Sequence, residues 1–217
     1  MTISYDCTED TGREVGLSAA AGALRAGRLV VTPTDTLYGL AADAFDPDAV
    51  TSLLSAKRRG PDMPVPVLVG SWETIDGLVV STPATARELI RAFWPGGLSL
   101  IVHQAPSLGW NLGHTHGTVM LRMPLHPVAI ELLRDVGPLA VSSANVSGQP
   151  PATTVAQARE QLADAVAVYL DGGPCAVGQP STIVDLTGPG PRIVREGAVS
   201  AERVGAVLGT DPATLRG

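Results

Sequence analysis

The chain has 217 residues, 45% hydrophobic and 17% charged, with a net charge of -6. That length and apolar content suffice for a buried core and exclude disorder of the body, while the acidic balance excludes a broad basic grip on nucleic acid. No run reaches the roughly 20 apolar residues of a membrane span, so no membrane contact is expected.

The opening MTISYDCTED has neither a basic nor an apolar signal region, so no secretory leader is expected. Residues 13–26 read as an Ala/Leu-rich helix stopped by Gly27, and Leu29–Val31 as a short buried strand. Asp46-Pro47 is a cap and first-turn proline for a helix running to Lys57. Val65–Val69 reads as an edge or irregular strand because of Pro64 and Pro66. A helix from Thr82 to Phe93 precedes strands at Leu98–Val102 and Val119–Met123. His126-Pro127 opens a helix closed by Gly137, and Leu139–Ser142 is a strand. A helix over 154–164 leads to a strand at Val166–Leu170. Strands at Thr182–Leu186 and Arg192–Arg195 precede a final helix from Ser200 to Gly209. About eight strands and six helices, joined partly by helices and partly by tight turns, predict a single α/β domain with a mixed sheet. The long loops are 104–117 and 171–180, and the Gly and Pro content of the second makes it the candidate to close over a site.

Several common sites are absent: no phosphate loop ending in G-K-[ST], no G-x-G-x-x-G opening a helix, no G-x-S-x-G elbow. His114 and His116 lack an acidic or thiol partner for a metal, and Cys7 and Cys175 read as two reduced thiols of a cytosolic protein.

Polar clusters do stand at strand ends. Thr32-Pro33-Thr34-Asp35-Thr36-Leu37-Tyr38-Gly39 gathers hydroxyls around an acid; it suits a ligand or a turn bonded to its own backbone. Lys57-Arg58-Arg59 contains the only lysine of the chain. Cations there favour the helix terminus, and Lys57 with Arg59 also suits a polyphosphate. Arg122 lies within an apolar strand, so it is either a buried ion pair or a clamp on a ligand carboxylate. Ser142-Ser143-Ala144-Asn145 leaves a strand with hydroxyls and backbone N–H groups suited to an anion. Cations and hydroxyls without a nucleophile–base pair point to catalysis by positioning, as in phosphoryl and nucleotidyl transfer.

In order, PTDTLYGLAADA, Lys57-x-Arg59, FWPGGLSLIV, VMLRMPLHPVA, SSANVSG, STIVDL and RIVREGAVS resemble the YrdC/Sua5 family of threonylcarbamoyl-AMP synthases, over about residues 14–207. The resemblance implies an N-terminal segment at 1–13, one YrdC-like domain at 14–207 and a tail at 208–217. It implies a twisted mixed sheet with flanking helices and a large concave cavity, of the YrdC/RibB-like kind. It further implies that L-threonine, bicarbonate and ATP, with Mg²⁺ accompanying the nucleotide, give threonylcarbamoyl-AMP and pyrophosphate. A tRNA threonylcarbamoyl transferase complex would then use the adenylate at position 37 of tRNAs reading ANN codons, all in the cytoplasm. The alternative is a non-catalytic binder of double-stranded RNA or nucleotide on the same fold, and a weak direct RNA contact stays open.

Carried over by position, the resemblance places Thr36, Arg122, Val141 and Ser181 on threonine. It places Arg59, Thr118, Ser143 and Arg195 on ATP, with Lys57 and Arg59 stabilising phosphate charge and no protein ligand to the metal. Ser147 and Asn145 are assigned to shaping their loop. This chain departs from the pattern where Met63 and Leu68 replace an Asn and a His, where Gln179-Pro180 precede Ser181, and where Glu196 follows Arg195.

Overall fold

The computed structural model describes residues 2–216. Ten strands form one mixed sheet. From one edge these are β1 (Ile3–Asp6), β8 (Val168–Asp171), β2 (Val30–Thr32), β3 (Gly39–Asp43) and β7 (Leu139–Ser143). Then come β4 (Val67–Leu68), β6 (Thr118–Arg122), β5 (Leu98–His103), β9 (Thr182–Asp185) and β10 (Arg192–Arg195). Seven helices accompany them among the described residues: α1 (Asp10–Arg25), α2 (Pro47–Ala56), α3 (Ala84–Phe93), α4 (Pro127–Val136), α5 (Val155–Leu162), α6 (Ala201–Leu208) and α7 (Pro212–Arg216).

Local chemistry accounts for the helix ends. The Asp46 carboxylate accepts from the N–H groups of Asp48 and Ala49 at 3.0 and 3.1 Å, capping α2 above Pro47. Gly209 closes α6 in the left-handed conformation. Pro64 and Pro66 shorten the predicted Val65–Val69 strand to the two residues of β4, since neither can donate to a ladder.

Three elements are additional to those read from the sequence. β3, Gly-Leu-Ala-Ala-Asp, has poor strand propensity, but it is buried between β2 and β7, and position outweighs propensity. The expected segment 1–13 is not separate: it holds β1, paired in parallel with β8, and the start of α1. Nor is 208–217 merely a tail. It holds α7, whose Leu215 is fully buried in the core.

The two faces of the sheet are covered unequally. On one face Val31, Leu40, Val67, Leu100 and Leu121 pack against α2, α3 and α6. On the other, Val30, Ala41, Leu139 and Val168 meet α1 and α4. Past Leu139 that second face opens, and Val141, Met120, Ser99 and Ile183 of β7, β6, β5 and β9 floor a cavity.

Candidate active site

The cavity holds about 410 Å³ and is lined from the strand ends and the loops beside them. Three arginines line it, Arg59, Arg122 and Arg195, and no aspartate or glutamate does. The space is therefore electropositive inside a chain of net charge -6. A larger surface groove between α2 and the Ala163–Ala165 turn carries one arginine and one aspartate, Arg28 and Asp164, and has no such bias.

Arg122 ends β6 and is only 7% exposed. Its Nε donates to Gly96 O at 2.8 Å, one terminal nitrogen to Thr36 Oγ1 at 2.8 Å and the other to Asp35 Oδ1 at 2.6 Å. Burial pulls the guanidinium downward, and Asp35 pulls it back up. Both sequence readings of Arg122 hold at once. It is a buried ion pair, and of its five N–H groups two stay unspent, one on each terminal nitrogen beside the cavity. The PTDT segment likewise serves two ends. Thr34 Oγ1 accepts from the N–H groups of Thr36 and Leu37, both at 3.2 Å, which builds the turn, and Thr36 presents its hydroxyl to Arg122.

Arg195 stands at the opposite wall on β10. Its Nε and one terminal nitrogen donate to Ser181 O at 3.1 and 2.8 Å, leaving the other terminal nitrogen free. Ser181 Oγ lies 2.9 Å from Ser99 Oγ on β5 and 3.2 Å from a terminal nitrogen of Arg195, so two hydroxyls and one guanidinium share one corner. Arg59 donates to Ser142 Oγ at 3.2 Å and Pro64 O at 3.0 Å, while its buried Nε has no protein partner. Val141 and Ser143 lie on the floor, where Gly39 fits because a Cβ would come within 2.6 Å of Val141 Cγ1.

Two predicted residues are placed differently. Lys57 is only 2% exposed and does not line the cavity. Its ammonium donates to Ser143 O at 2.5 Å and Asn145 O at 2.8 Å, beneath the loop that leaves β7. A buried ammonium must find oxygens, and here these are neutral carbonyls. Burial, helped by Arg59, pushes its pKa down to about 8. Its direct role on phosphate charge therefore gives way here to a hold on the Ser143–Asn145 backbone. Thr118 shares the face of β6 with Met120 and Arg122 but lies beyond the lining, its hydroxyl on Thr115 O at 2.7 Å.

The loop expected to close is tethered. Tyr38 Oη donates to Gly173 O at 2.7 Å and accepts from Gly172 N at 3.1 Å. Cys175 N and Val177 N donate to Thr153 O and Asp35 O, each at 2.9 Å. Sequence reasoning singled out the cluster that holds Asp35 and Tyr38 without giving either a role, and it missed Ser99. A lone arginine in an apolar strand demands a partner, and the acid in the PTDT cluster was the available signal. His114 pairs with Asp62 at 2.9 Å on the surface, and Cys7 and Cys175 are unpaired thiols.

The fold and the cavity together define a mixed α/β protein built to hold anions at the open face of its sheet. The profile of the Sua5/YciO/YrdC family, described as "Telomere recombination", matches residues 22–197, and the chain belongs to this family. A Mycobacterium tuberculosis protein, provisionally named threonylcarbamoyl-AMP synthase, is 66% identical over the full length of both chains. The threonylcarbamoyl-AMP synthases of Pyrococcus abyssi and Bacillus subtilis are each 36% identical over 96% and 89% of this chain, which spans 62% and 56% of theirs. The structure of P. abyssi Sua5 complexed with L-threonine superposes with a TM-score of 0.88 at 32% identity, covering all of this chain and 64% of that one. Escherichia coli YciO, 21% identical with a TM-score of 0.83, shares the fold over 94% of this chain and all of its own.

Proposed function

We propose that this chain makes L-threonylcarbamoyl-AMP and pyrophosphate from L-threonine, bicarbonate and ATP. This is the first step of threonylcarbamoyladenosine formation at position 37 of tRNAs reading ANN codons. The observation that carries the reading is the Arg122 fork, held by Asp35, Thr36 and Gly96 with two N–H groups to spare, in a cavity without carboxylates. The names of the relatives agree with it.

The threonine amine attacks the carbon of bicarbonate, water leaves, and a carbamate forms. A carbamate oxygen then displaces pyrophosphate from the α-phosphorus. Arg122, Thr36, Ser181 and the Val141 backbone hold threonine. Arg59, Arg195 and Ser143 hold ATP, Thr118 meets only its base or ribose from beyond the cavity lining, and Arg59 offsets charge developing on the phosphates. Lys57 keeps Ser143 in place from below. Among the described residues no group of three His, Cys, Asp or Glu side chains gathers to hold a metal. Magnesium would come with the ATP phosphates and would supply charge neutralisation there. A tRNA threonylcarbamoyl transferase complex consumes the adenylate, and the work belongs in the cytoplasm. Among the described residues no helix is long and apolar enough to cross a membrane. RNA binding as the main function is less favoured, because the cavity arginines are aimed inward.

Purified protein incubated with ATP, Mg²⁺, bicarbonate and labelled threonine should release pyrophosphate only when threonine is present. Absence of both the labelled adenylate and threonine-dependent pyrophosphate would refute the reading.

A further inference from the structure

A nucleotide needs a surface for its base as well as partners for its phosphates. The cavity offers no open aromatic ring. Its one aromatic lining residue, Tyr38, is fully buried, with its hydroxyl spent on Gly172 and Gly173. It offers two thioethers instead. Met63 lines the cavity and is 55% exposed, so its side chain is accessible there. Met120 is half-buried on the floor, on the same face of β6 as Arg122. Two residues along a strand put Met120 about 7 Å from Arg122. The pairing of Val67 with Leu121 sets Pro66 beside Met120, and Pro64, next to Met63, accepts a hydrogen bond from Arg59. An apolar, polarisable patch thus lies directly beside two cations.

We infer that Met63 and Met120, with Pro64 and Pro66, form the platform on which the purine ring of the nucleotide lies, leaving the phosphates to the arginines. Thioether sulfur makes favourable contacts with aromatic rings, and an unbranched side chain adapts to either face of a planar base. The inference rests on the proposed use of ATP.

Calorimetry separates base from phosphate. ATP and inorganic triphosphate are titrated into the wild type, Met63→Ala, Met120→Ala and Met120→Leu, with Mg²⁺ present. The expectation is that each alanine variant loses about threefold to tenfold in ATP affinity while triphosphate affinity stays at the wild-type value. Met120→Leu, which keeps the bulk, should lose less than Met120→Ala. As an independent reading, ATP but not triphosphate should slow peroxide oxidation of Met63 to the sulfoxide, followed by peptide mass. Equal losses for ATP and triphosphate, unchanged ATP affinity in both alanine variants, or oxidation of Met63 indifferent to ATP would each overturn the platform. ATP binding is read without turnover. A chain that binds ATP on this patch yet releases no threonine-dependent pyrophosphate refutes the proposed reaction and leaves the platform standing.

Discussion

Lys57 and Arg122 are both buried cations within reach of one cavity, yet they are satisfied in opposite ways. Arg122 has a carboxylate partner in Asp35 at 2.6 Å, itself anchored by the N–H of Leu125 at 2.8 Å. Lys57 has only carbonyl oxygens. The chemistry of each side chain explains the division. A guanidinium has five N–H groups in a plane, so it can be gripped from one side and still offer a fork on the other. An ammonium has three, and two of Lys57's are already used on the backbone. The Arg122 corner can therefore bind an anion directly, whereas the Lys57 corner sets the shape of the wall that meets one.

Arg122→Ala should produce the largest effect. It removes the fork and leaves the Asp35 carboxylate buried without its cation, a change that commonly costs about 3–5 kcal/mol. Threonine-dependent pyrophosphate release should fall at least about a hundredfold, and Arg122→Lys should recover little of it, because a point charge cannot replace a planar fork. Asp35→Asn isolates the grip from the fork: the arginine stays but is held less firmly, so the KM for threonine should rise more than kcat falls. An Arg122→Lys enzyme with wild-type kinetics would erase the distinction between the two corners.

Lys57→Met comes next. Two buried carbonyls lose their donor, at a cost of about 2–4 kcal/mol, and activity should fall through displacement of Ser143. The pH dependence identifies the group. Its pKa is about 8 in the fold, against the usual 10.5 of a free lysine. Between those values the unfolded chain binds the extra proton, so wild-type stability gains from this group as pH rises. Urea unfolding should therefore show a larger gap between wild type and Lys57→Met at pH 9.5 than at pH 7. A gap that shrinks with rising pH would contradict the buried, depressed lysine.

Arg195→Ala and Arg59→Ala should be milder for folding, since both residues are only partly buried and bond mainly to neutral oxygens. Each should raise the KM for ATP by about tenfold, in line with loss of a charge-assisted contact, with the KM for threonine nearly unchanged. Equal effects on both substrates would mean that the two ligands are not divided between these arginines and Arg122.

Much of this was legible in the sequence because the signals were local. The Asp46-Pro47 cap, the Gly209 stop and the buried strand runs each depend on a few adjacent residues. The strand-end clusters were legible for the same reason, and the cavity does gather Thr36, Arg59, Arg122, Ser143, Ser181 and Arg195. What escaped depends on long-range contact. β3 is a strand only because β2 and β7 flank it, and β1 only because β8 offers an edge. The destination of Lys57 is set by carbonyls 86 and 88 residues away. Its place beside Arg59 suggested a shared target, but adjacency at a helix end does not fix direction, and burial turned the ammonium inward.

Thr118 offers the smallest and sharpest test of how far the anion-binding corner extends along β6. It shares a face with Arg122 four residues away, about 13 Å along the strand, and its hydroxyl already serves the Thr115 carbonyl. A hydroxyl that donates there keeps only acceptor capacity, which a phosphate oxygen cannot use. ATP therefore meets Thr118 through a base or ribose donor. Thr118→Val, which keeps the shape and removes the hydroxyl, should then raise the KM for ATP by no more than about threefold. Inhibition by inorganic triphosphate should be unaltered. A tenfold loss shared by ATP and triphosphate would show instead that the phosphates extend to this end of the strand, and the contrast between a direct Arg122 corner and an indirect remainder would have to be redrawn.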